Sequence, residues 1–121
     1  MAARQGLGRW GEDLAARALA REGYTILGRN VRVPEVGEVD ILAQEGDTLV
    51  VVEVRTRRGA PRFAPEDSVD ERKRQRLAAL AEAIATERNW NGPLRVDFVA
   101  VELDRRGRLQ RLRILKDIIG L

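Results

Sequence analysis

Asp40 and Glu53 are the two residues of this chain whose types and spacing most clearly indicate chemistry. They lie in two strongly β-forming runs that are joined by a short turn at residues 45–48. If this turn is a two-residue hairpin loop on Gly46 and Asp47, counting outward places Asp40 directly opposite Glu53. Directly opposed residues have Cβ atoms about 4.5–5.5 Å apart. Two carboxylates that close repel each other unless a cation or a proton lies between them, so the spacing indicates a small metal site.

The composition restricts the chemistry that such a site can use. The 121 residues are enough for one domain, residues 1–121, with a modest core. The chain has no cysteine, which excludes disulfides, thiolate nucleophiles and sulfur-bound zinc. It has no histidine, which excludes catalytic triads and imidazole acid–base chemistry. Catalysis would therefore use carboxylates, Lys, Arg, Tyr, Ser or Thr, with a metal ion that prefers oxygen ligands.

The net charge of the chain bears on its binding partners, and its apolar segments bear on its cellular location. The formal net charge is +3 and the sequence pI is about 10.1. This excess fits a polyanionic partner, and it fits an ordinary basic protein equally well. The N-terminal residues lack the apolar region of a secretory signal, and no apolar run approaches membrane-spanning length. We therefore expect a cytoplasmic protein without a membrane partner.

Hydrophobic periodicity predicts seven elements in the order αβββαββ. In the first helix, Trp10, Leu14 and Ala18 form the expected buried stripe, and Ala15 and Leu19 broaden it. Ser68 and Glu71 form a capping box that starts the second helix. The predicted elements are a helix at 8–22, strands at 24–32, 37–44 and 48–57, a helix from Ser68, and strands at 94–103 and 108–115. The buried stripe of the second helix is expected to consist of Leu77, Leu80, Ala81 and Ile84.

The strand that carries Glu53 is expected at the centre of the sheet. Its apolar run from Leu49 to Val54 is interrupted only by Glu53, which indicates burial on both faces. The β-α-β step from this strand to the strand at 94–103 predicts a right-handed parallel crossover. The predicted fold is thus an α/β sandwich on a mixed sheet. An unpaired carboxylate is costly to bury, so Glu53 must have a partner.

Two interpretations of that partner remain open on the residues alone. In the first, the pairing register places Glu38 opposite Arg55, and an ion-pair network with Arg55 and Arg57 neutralises Glu53 and Glu38. Asp40 would then be solvated at one end of the sheet. In the second, Asp40 and Glu53 hold Mg²⁺ or Mn²⁺, which takes one or two protein carboxylates together with water and substrate phosphate. Arg55 would then face the scissile phosphate.

Other charged residues also have two interpretations. Glu12 is either a third acid that points towards the sheet or a solvated glutamate in the first helical turn. Asp97, in a buried-looking strand, is expected to pair with an arginine. Lys73 belongs to a basic cluster that is either a solvated helix face or a phosphate-binding surface. The candidate phosphate-contacting residues are Arg57, Arg58, Arg62, Arg72, Lys73 and Arg76.

Taken together, these motifs resemble the YraN family, small bacterial proteins that are predicted nucleases. The resemblance covers nearly the whole chain. It implies the restriction-endonuclease-like fold, with relatives among archaeal Holliday-junction resolvases and restriction enzymes of the PD-(D/E)XK superfamily. The segments that carry it are Gly8-Arg-Trp-Gly-Glu12, Gly23-Tyr24, Arg29-Asn30-Val-Arg32, Gly37-Glu38-Val-Asp40, Val52-Glu53-Val-Arg55, Lys73 and Arg95-Val-Asp97.

The resemblance assigns roles to individual residues. Asp40 and Glu53 match the metal-binding acids of the family motif, and Glu12 matches the acid of the first helix that often joins them. Arg55 stands where the motif has lysine. Arginine remains protonated and cannot act as a base, but it can donate two hydrogen bonds to a phosphate. Lys73 would be the source of the missing ammonium group.

Three functions follow as hypotheses. The leading one is a Mg²⁺- or Mn²⁺-dependent DNA endonuclease in which Asp40 and Glu53 bind the metal and Arg55 and Lys73 act on the phosphate. The second is a nucleic-acid-binding protein that has lost catalysis because Arg55 replaces lysine. The third is a structural protein with ion-paired acids. RNA remains open as a substrate, and a resolvase-like role favours a homodimer with two sites.

Overall fold

The computed structural model describes residues 2–59 and 68–121, with side chains described from Gly6 onward, and the predicted element order αβββαββ is confirmed in these ranges. Each strand begins and ends within one residue of its predicted bounds. The elements are α1 (Ala2–Arg21), β1 (Thr25–Val33), β2 (Gly37–Glu45), β3 (Thr48–Arg58), α2 (Glu71–Glu87), β4 (Leu94–Leu103) and β5 (Leu109–Leu115).

The five strands form one mixed sheet in the order β1-β2-β3-β4-β5. The pairing between β3 and β4 is parallel and the other three pairings are antiparallel, as predicted from the β-α-β step. Strand β3 is central and covered on both faces. Val50 and Val52 pack in the core cluster on the α1 side, and Val51 packs in the cluster on the α2 side.

The hairpin between β2 and β3 has the predicted register. Glu45 pairs with Thr48, and Gly46 has a φ of 57°, a conformation that glycine adopts without steric cost. The ladder then runs outward as far as the pair Ile41–Val52. One further step along both strands reaches Asp40 and Glu53, so the turn brings these two acids to neighbouring positions.

The buried face of α1 agrees with the prediction in part. The helix begins six residues earlier than expected, and the predicted burial of Ala15 and Leu19 is confirmed, with Gly11 buried on the same face. Trp10 is 37% exposed, and its indole nitrogen Nε1 donates to the carbonyl oxygen of Gly107 at 3.0 Å. The expected burial of Trp10 was wrong because a tryptophan can lie at a surface while its polar edge makes a hydrogen bond.

The start of α2 also differs. The N-cap is Asp70, whose carboxylate accepts a hydrogen bond from the amide of Lys73 at 2.8 Å, so the predicted capping box of Ser68 and Glu71 is wrong. Both residue types cap helices well, and the local sequence alone did not separate them. The predicted buried stripe is confirmed and gains Ala85. Within the ranges 2–59 and 68–121, no helix is both long and apolar enough to cross a membrane.

A polar network closes the end of the sheet where β3 and β4 begin. Asp97 is fully buried, and its carboxylate accepts hydrogen bonds from Nε and Nη2 of Arg95 at 2.8 and 2.9 Å. It also accepts from the hydroxyl of Tyr24 at 2.6 Å and from the amide of Asp117 at 2.9 Å. The predicted arginine partner of Asp97 is therefore confirmed, and the full set of donors makes this acid a structural residue.

Helix α1 approaches β3 closely at one glycine. A Cβ atom added to Gly11 would overlap Oγ1 of Thr56 and lie 2.9 Å from its Cβ. Only a residue without a side chain allows this contact. The contact fixes the height of α1 above β3 at the position of Glu12, the next residue along the helix.

We expect Gly11→Ala to lower the free energy of unfolding by about 1–3 kcal/mol, because the added methyl group overpacks the contact with Thr56. This loss outweighs the helix propensity of alanine, which favours it over glycine by about 1 kcal/mol. The matched control is Gly8→Ala, since nothing lies within 4 Å of a Cβ atom at Gly8. Urea unfolding of both variants measures the difference. Equal stabilisation by the two substitutions would contradict the close contact.

Candidate active site

Three carboxylates from three elements interact at one end of the β2–β3 ladder. Asp40 comes from β2, Glu53 from β3 and Glu12 from the middle of α1. Burial is the largest cause that raises the pKa of Asp40 to about 7. The charges of Glu53 and Glu12 and a hydrogen bond with Glu53 add to this increase, while a hydrogen bond from the amide of Val54 opposes it. The acids therefore repel one another in a half-buried setting.

Strand β2 changes its orientation at Asp40. Val39 packs in the α2-side cluster, whereas Ile41, two residues further, packs in the α1-side cluster, so the usual alternation is broken between them. Beyond the last ladder pair, the amide of Val54 donates to Oδ2 of Asp40 at 2.8 Å. The carboxylate of Asp40 therefore lies in the space that opens where β2 and β3 separate.

The ladder ends before it reaches Glu38 and Arg55. Their predicted pairing is therefore wrong, because β2 and β3 have already diverged. Glu38 is exposed and lies opposite Arg32 of β1. The ion-pair alternative therefore loses the pairing of Glu38 with Arg55 on which its register was based.

The partner of Glu53 is Lys73 of α2. The ammonium nitrogen Nζ lies 2.8 Å from Oε2 of Glu53, and the two side chains are only 16% and 13% exposed. Lys73 reaches this position from the first turn of α2, where its amide is held by the N-cap Asp70. The structure thus brings one of the two lysines of the chain to the acid pair.

Glu12 is placed differently from a solvated residue of a first helical turn. It lies halfway along α1, and its side chain is 18% exposed. Arg29 of β1 contacts it at 3.7 Å but contacts the neighbouring Asp13 more closely, at 2.7 Å. Glu12 therefore makes a long ion pair with Arg29 on one side and interacts electrostatically with Asp40 on the other.

The donor set suits a hard divalent cation held by two carboxylates. Among the residues that the structure describes, no group of three acidic side chains is close enough to hold a metal ion. Mg²⁺ usually takes only one or two carboxylates from a protein and completes its shell with water and substrate oxygen. Asp40 and Glu53, whose mutual repulsion a cation would remove, meet this requirement, whereas Glu12 as a direct ligand stays a prediction.

Arg55 lies in a cleft between α1 and the second half of β3. The cleft is lined by Leu7, Gly8 and Glu12 and by residues 54–58. The side chain of Arg55 is exposed, and within the described ranges it has no hydrogen-bond or ion-pair partner. Its guanidinium group is therefore available to a ligand.

The other predicted phosphate-contacting residues fall into two groups. Arg57 and Arg58 line the cleft with Arg55. Arg72 and Arg76 are exposed on α2 and line a second depression with Lys73 and Asp70. Arg62 lies outside the described residues.

Two sets of cationic residues were not predicted. Arg29 contacts Glu12 and Asp13, and its position on a polar strand gave no signal for this. The second set lies at the turn between β4 and β5, where residues 105–113 contain five arginines. This density of arginines is visible in the sequence and could have identified the second set.

Comparison with known proteins matches residues 11–101 to the family described as "Uncharacterised protein family UPF0102". A UPF0102 protein of Streptomyces coelicolor is 46% identical over 109 residues, which cover 88% of this chain and 84% of the relative. One from Dehalococcoides mccartyi is 42% identical over 118 residues, 97% and 95% of the two chains. One from Moorella thermoacetica is 46% identical over 110 residues, 90% and 91% of the two chains.

The raised pKa of Asp40 makes stability depend on pH. Below about pH 4 the carboxyl is protonated in both the folded and the unfolded chain, so it does not affect stability. As the pH rises from about 4 to 7, the unfolded chain loses this proton and the folded chain keeps it, and stability falls. Above pH 7 the penalty is complete, on the order of 4 kcal/mol at about 1.4 kcal/mol per pKa unit.

We therefore expect Asp40→Asn to raise the free energy of unfolding at about pH 8 by roughly 2–4 kcal/mol, with no gain near pH 4. The asparagine oxygen can still accept the hydrogen bond from Val54. The matched control is Asp97→Asn, which should destabilise the protein at pH 8 because it breaks the buried ion pair with Arg95. Chemical unfolding at the two pH values measures both variants. Destabilisation by Asp40→Asn at pH 8 would contradict the repulsive cluster.

Proposed function

We propose that this chain, which belongs to the UPF0102 family, is a divalent-metal-dependent endonuclease that hydrolyses phosphodiester bonds of DNA. The observation that carries the proposal is the 2.8 Å contact of Lys73 with Glu53, next to Asp40. Two neighbouring acids and one lysine are the residue set that the resemblance to the YraN family implies. A lysine from α2 would provide the ammonium group that the motif has on the strand.

Asp40 and Glu53 would hold the metal ion, with Glu12 as an outer ligand. The support is their proximity and the raised pKa of Asp40, which a bound cation would reverse. A divalent cation supplies stabilisation of charge on the phosphate and lowers the pKa of bound water. Mg²⁺ and Mn²⁺ are the ions that match an all-oxygen donor set of this size.

Lys73 and Arg55 would both act on the phosphate. Lys73 would donate to a phosphate oxygen placed against the acid pair, where its ammonium already lies. Arg55 would hold a second oxygen from the cleft through two parallel hydrogen bonds. In the reaction, the oxygen of a water molecule bonds to phosphorus and loses a proton to solvent, the bond to one ester oxygen breaks, and that oxygen takes up a proton from solvent. Both cations would stabilise the charge that develops on the phosphate.

The second candidate is a nucleic-acid-binding protein without catalysis. The substitution of the motif lysine by Arg55 favours it, because arginine cannot replace lysine at a site that requires a compact ammonium group. The position of Lys73 against Glu53 opposes this alternative. The two candidates differ in whether the acid pair is required for a metal-dependent reaction.

The first test is cleavage of DNA in Mg²⁺ or Mn²⁺ by Asp40→Ala and Glu53→Ala variants. We expect both to abolish cleavage, because each removes a carboxylate that would hold the metal ion. Glu82→Ala is the control, since Glu82 is an exposed acid on the outer face of α2. Unchanged cleavage by the two acid variants would place the activity elsewhere. No cleavage by the wild-type protein in either metal would favour the binding protein.

The second test separates the two lysines of the chain. We expect Lys73→Ala to lower kcat by about 10²–10³, the usual effect of removing one positioned donor to transition-state charge. Lys116→Ala is the matched control, because Lys116 is paired with Glu45 at 2.8 Å, away from the acid pair. If Lys73→Ala cleaves like the wild type while Arg55→Lys increases cleavage more than about tenfold, the motif position rather than Lys73 supplies the ammonium group.

A further inference from the structure

The turn between β4 and β5, residues 104–108, is fastened beside the cleft by three contacts. Nε and Nη2 of Arg58 donate to the carbonyl oxygen of Arg105 at 3.0 and 2.8 Å. The amide of Gly59 donates to the carbonyl oxygen of Leu103 at 2.9 Å. On the other side, Nε1 of Trp10 donates to the carbonyl oxygen of Gly107 at 3.0 Å. The turn is thus held against both walls of the cleft, β3 and α1.

The turn is also fixed from within. Oδ1 of Asp104 accepts hydrogen bonds from the amides of Arg106 and Arg108 at 2.8 and 2.9 Å. Its second oxygen accepts from Nε of Arg108 at 2.9 Å. A turn that is ordered by its own hydrogen bonds loses little entropy when it binds a ligand.

Two exposed arginines project from this fixed turn. The side chains of Arg105 and Arg106 are exposed, and neither guanidinium group has a hydrogen bond or ion pair within the described ranges. Arg108 differs, because Asp104 already neutralises it. With Arg55 in the adjoining cleft, Arg105 and Arg106 extend a positive surface away from the acid pair.

We propose that Arg105 and Arg106 form a second phosphate contact for duplex DNA, away from the bond that is cleaved. The ladder places Arg58 beside Leu103, five residues along β3 from Glu53. At about 3.3 Å per residue, the turn lies roughly 17 Å from Glu53 along the strand. This distance matches about five base pairs at 3.4 Å each. Guanidinium groups suit this contact because their paired donors match phosphate oxygens.

This second contact deepens the proposed function, since it gives the enzyme a duplex rather than a single nucleotide as its substrate. It predicts that part of the affinity for DNA comes from residues that take no part in catalysis. Such contacts fix the position of a duplex without reading its sequence.

The test is the binding of a DNA duplex of about 20 base pairs, followed by fluorescence anisotropy in metal-free buffer at several salt concentrations. The variant combines Arg105→Ser and Arg106→Ser. The matched control combines Arg21→Ser and Arg88→Ser, two exposed arginines at the C-terminal ends of α1 and α2, at the opposite end of the sheet. Both double variants lose the same charge, so a difference between them reports position. Urea unfolding checks that both retain the fold.

We expect the Arg105/Arg106 variant to bind about tenfold more weakly near 0.1 M salt. The slope of the logarithm of its binding constant against the logarithm of salt concentration should become less steep by about 1.8, or 0.9 for each lost phosphate contact. The control should change affinity less than about twofold. Equal binding by the two double variants would overturn the second contact and leave the nuclease proposal intact.

Other outcomes separate this contact from the proposed activity. If the wild type binds DNA and never cleaves it, the loss in the Arg105/Arg106 variant still establishes the contact, and the nuclease proposal fails. If the wild type retains no DNA even at low salt, both proposals fail. Binding to vesicles containing phosphatidylserine that the Arg105/Arg106 variant alone loses, without DNA binding, would assign the turn to a lipid surface and overturn the proposal.

Discussion

Repulsion between the carboxylates of Asp40 and Glu53 is the interaction on which the account of this protein depends. The hairpin register places the two acids at neighbouring positions, and partial burial together with their charges raises the pKa of Asp40 to about 7. The register cannot shift by one residue without turning every side chain of β2 and β3 to the opposite face. The fold therefore keeps an arrangement that opposes its own stability, which is common where a protein prepares a binding site.

The sheet surrounds its two candidate buried acids in opposite ways. Asp97 is fully buried and receives hydrogen bonds from Arg95, Tyr24 and the amide of Asp117. Asp40 receives one amide hydrogen bond and faces two further acids. An acid with a full set of donors stabilises a fold, whereas an acid that lacks them and lies near other acids suits a cation. This contrast separates the structural acid from the candidate functional one within a single sheet.

The elements around the acid pair hold other charged residues close to it or to the same strand. Gly11 lets α1 lie close to β3, which brings Glu12 near Asp40. The N-cap Asp70 fixes the first turn of α2, from which Lys73 reaches Glu53. The β4–β5 turn is fastened to the far end of the same strand by Arg58. Strand β3 thus connects the acid pair, the cleft and the second arginine surface.

The sequence allowed the central features to be predicted where local rules decide them. Gly46 at a tight turn determines the hairpin register, and the apolar run around Glu53 indicates a central strand. The requirement that Glu53 have a partner also followed, but the identity of the partner did not. Lys73 is 20 residues away on another element, and its approach depends on how α2 packs over the sheet. Local rules also favoured Arg55, whose pairing failed because β2 leaves the ladder at Asp40.

The first helix shows the same limit. Trp10 fits an apolar stripe on hydrophobicity, but the close contact of Gly11 with Thr56 decides which face of α1 is buried. A glycine contributes nothing to a hydrophobic pattern, so its role is visible only once the opposing strand is in place.

A crystal soaked in Mn²⁺ and measured at the manganese absorption edge tests the central claim most directly. We expect an anomalous peak between the carboxylates of Asp40 and Glu53, with the ammonium group of Lys73 moved away from Oε2 of Glu53. The absence of such a peak, with Lys73 still bound to Glu53, would contradict it and would make the pair a structural ion pair.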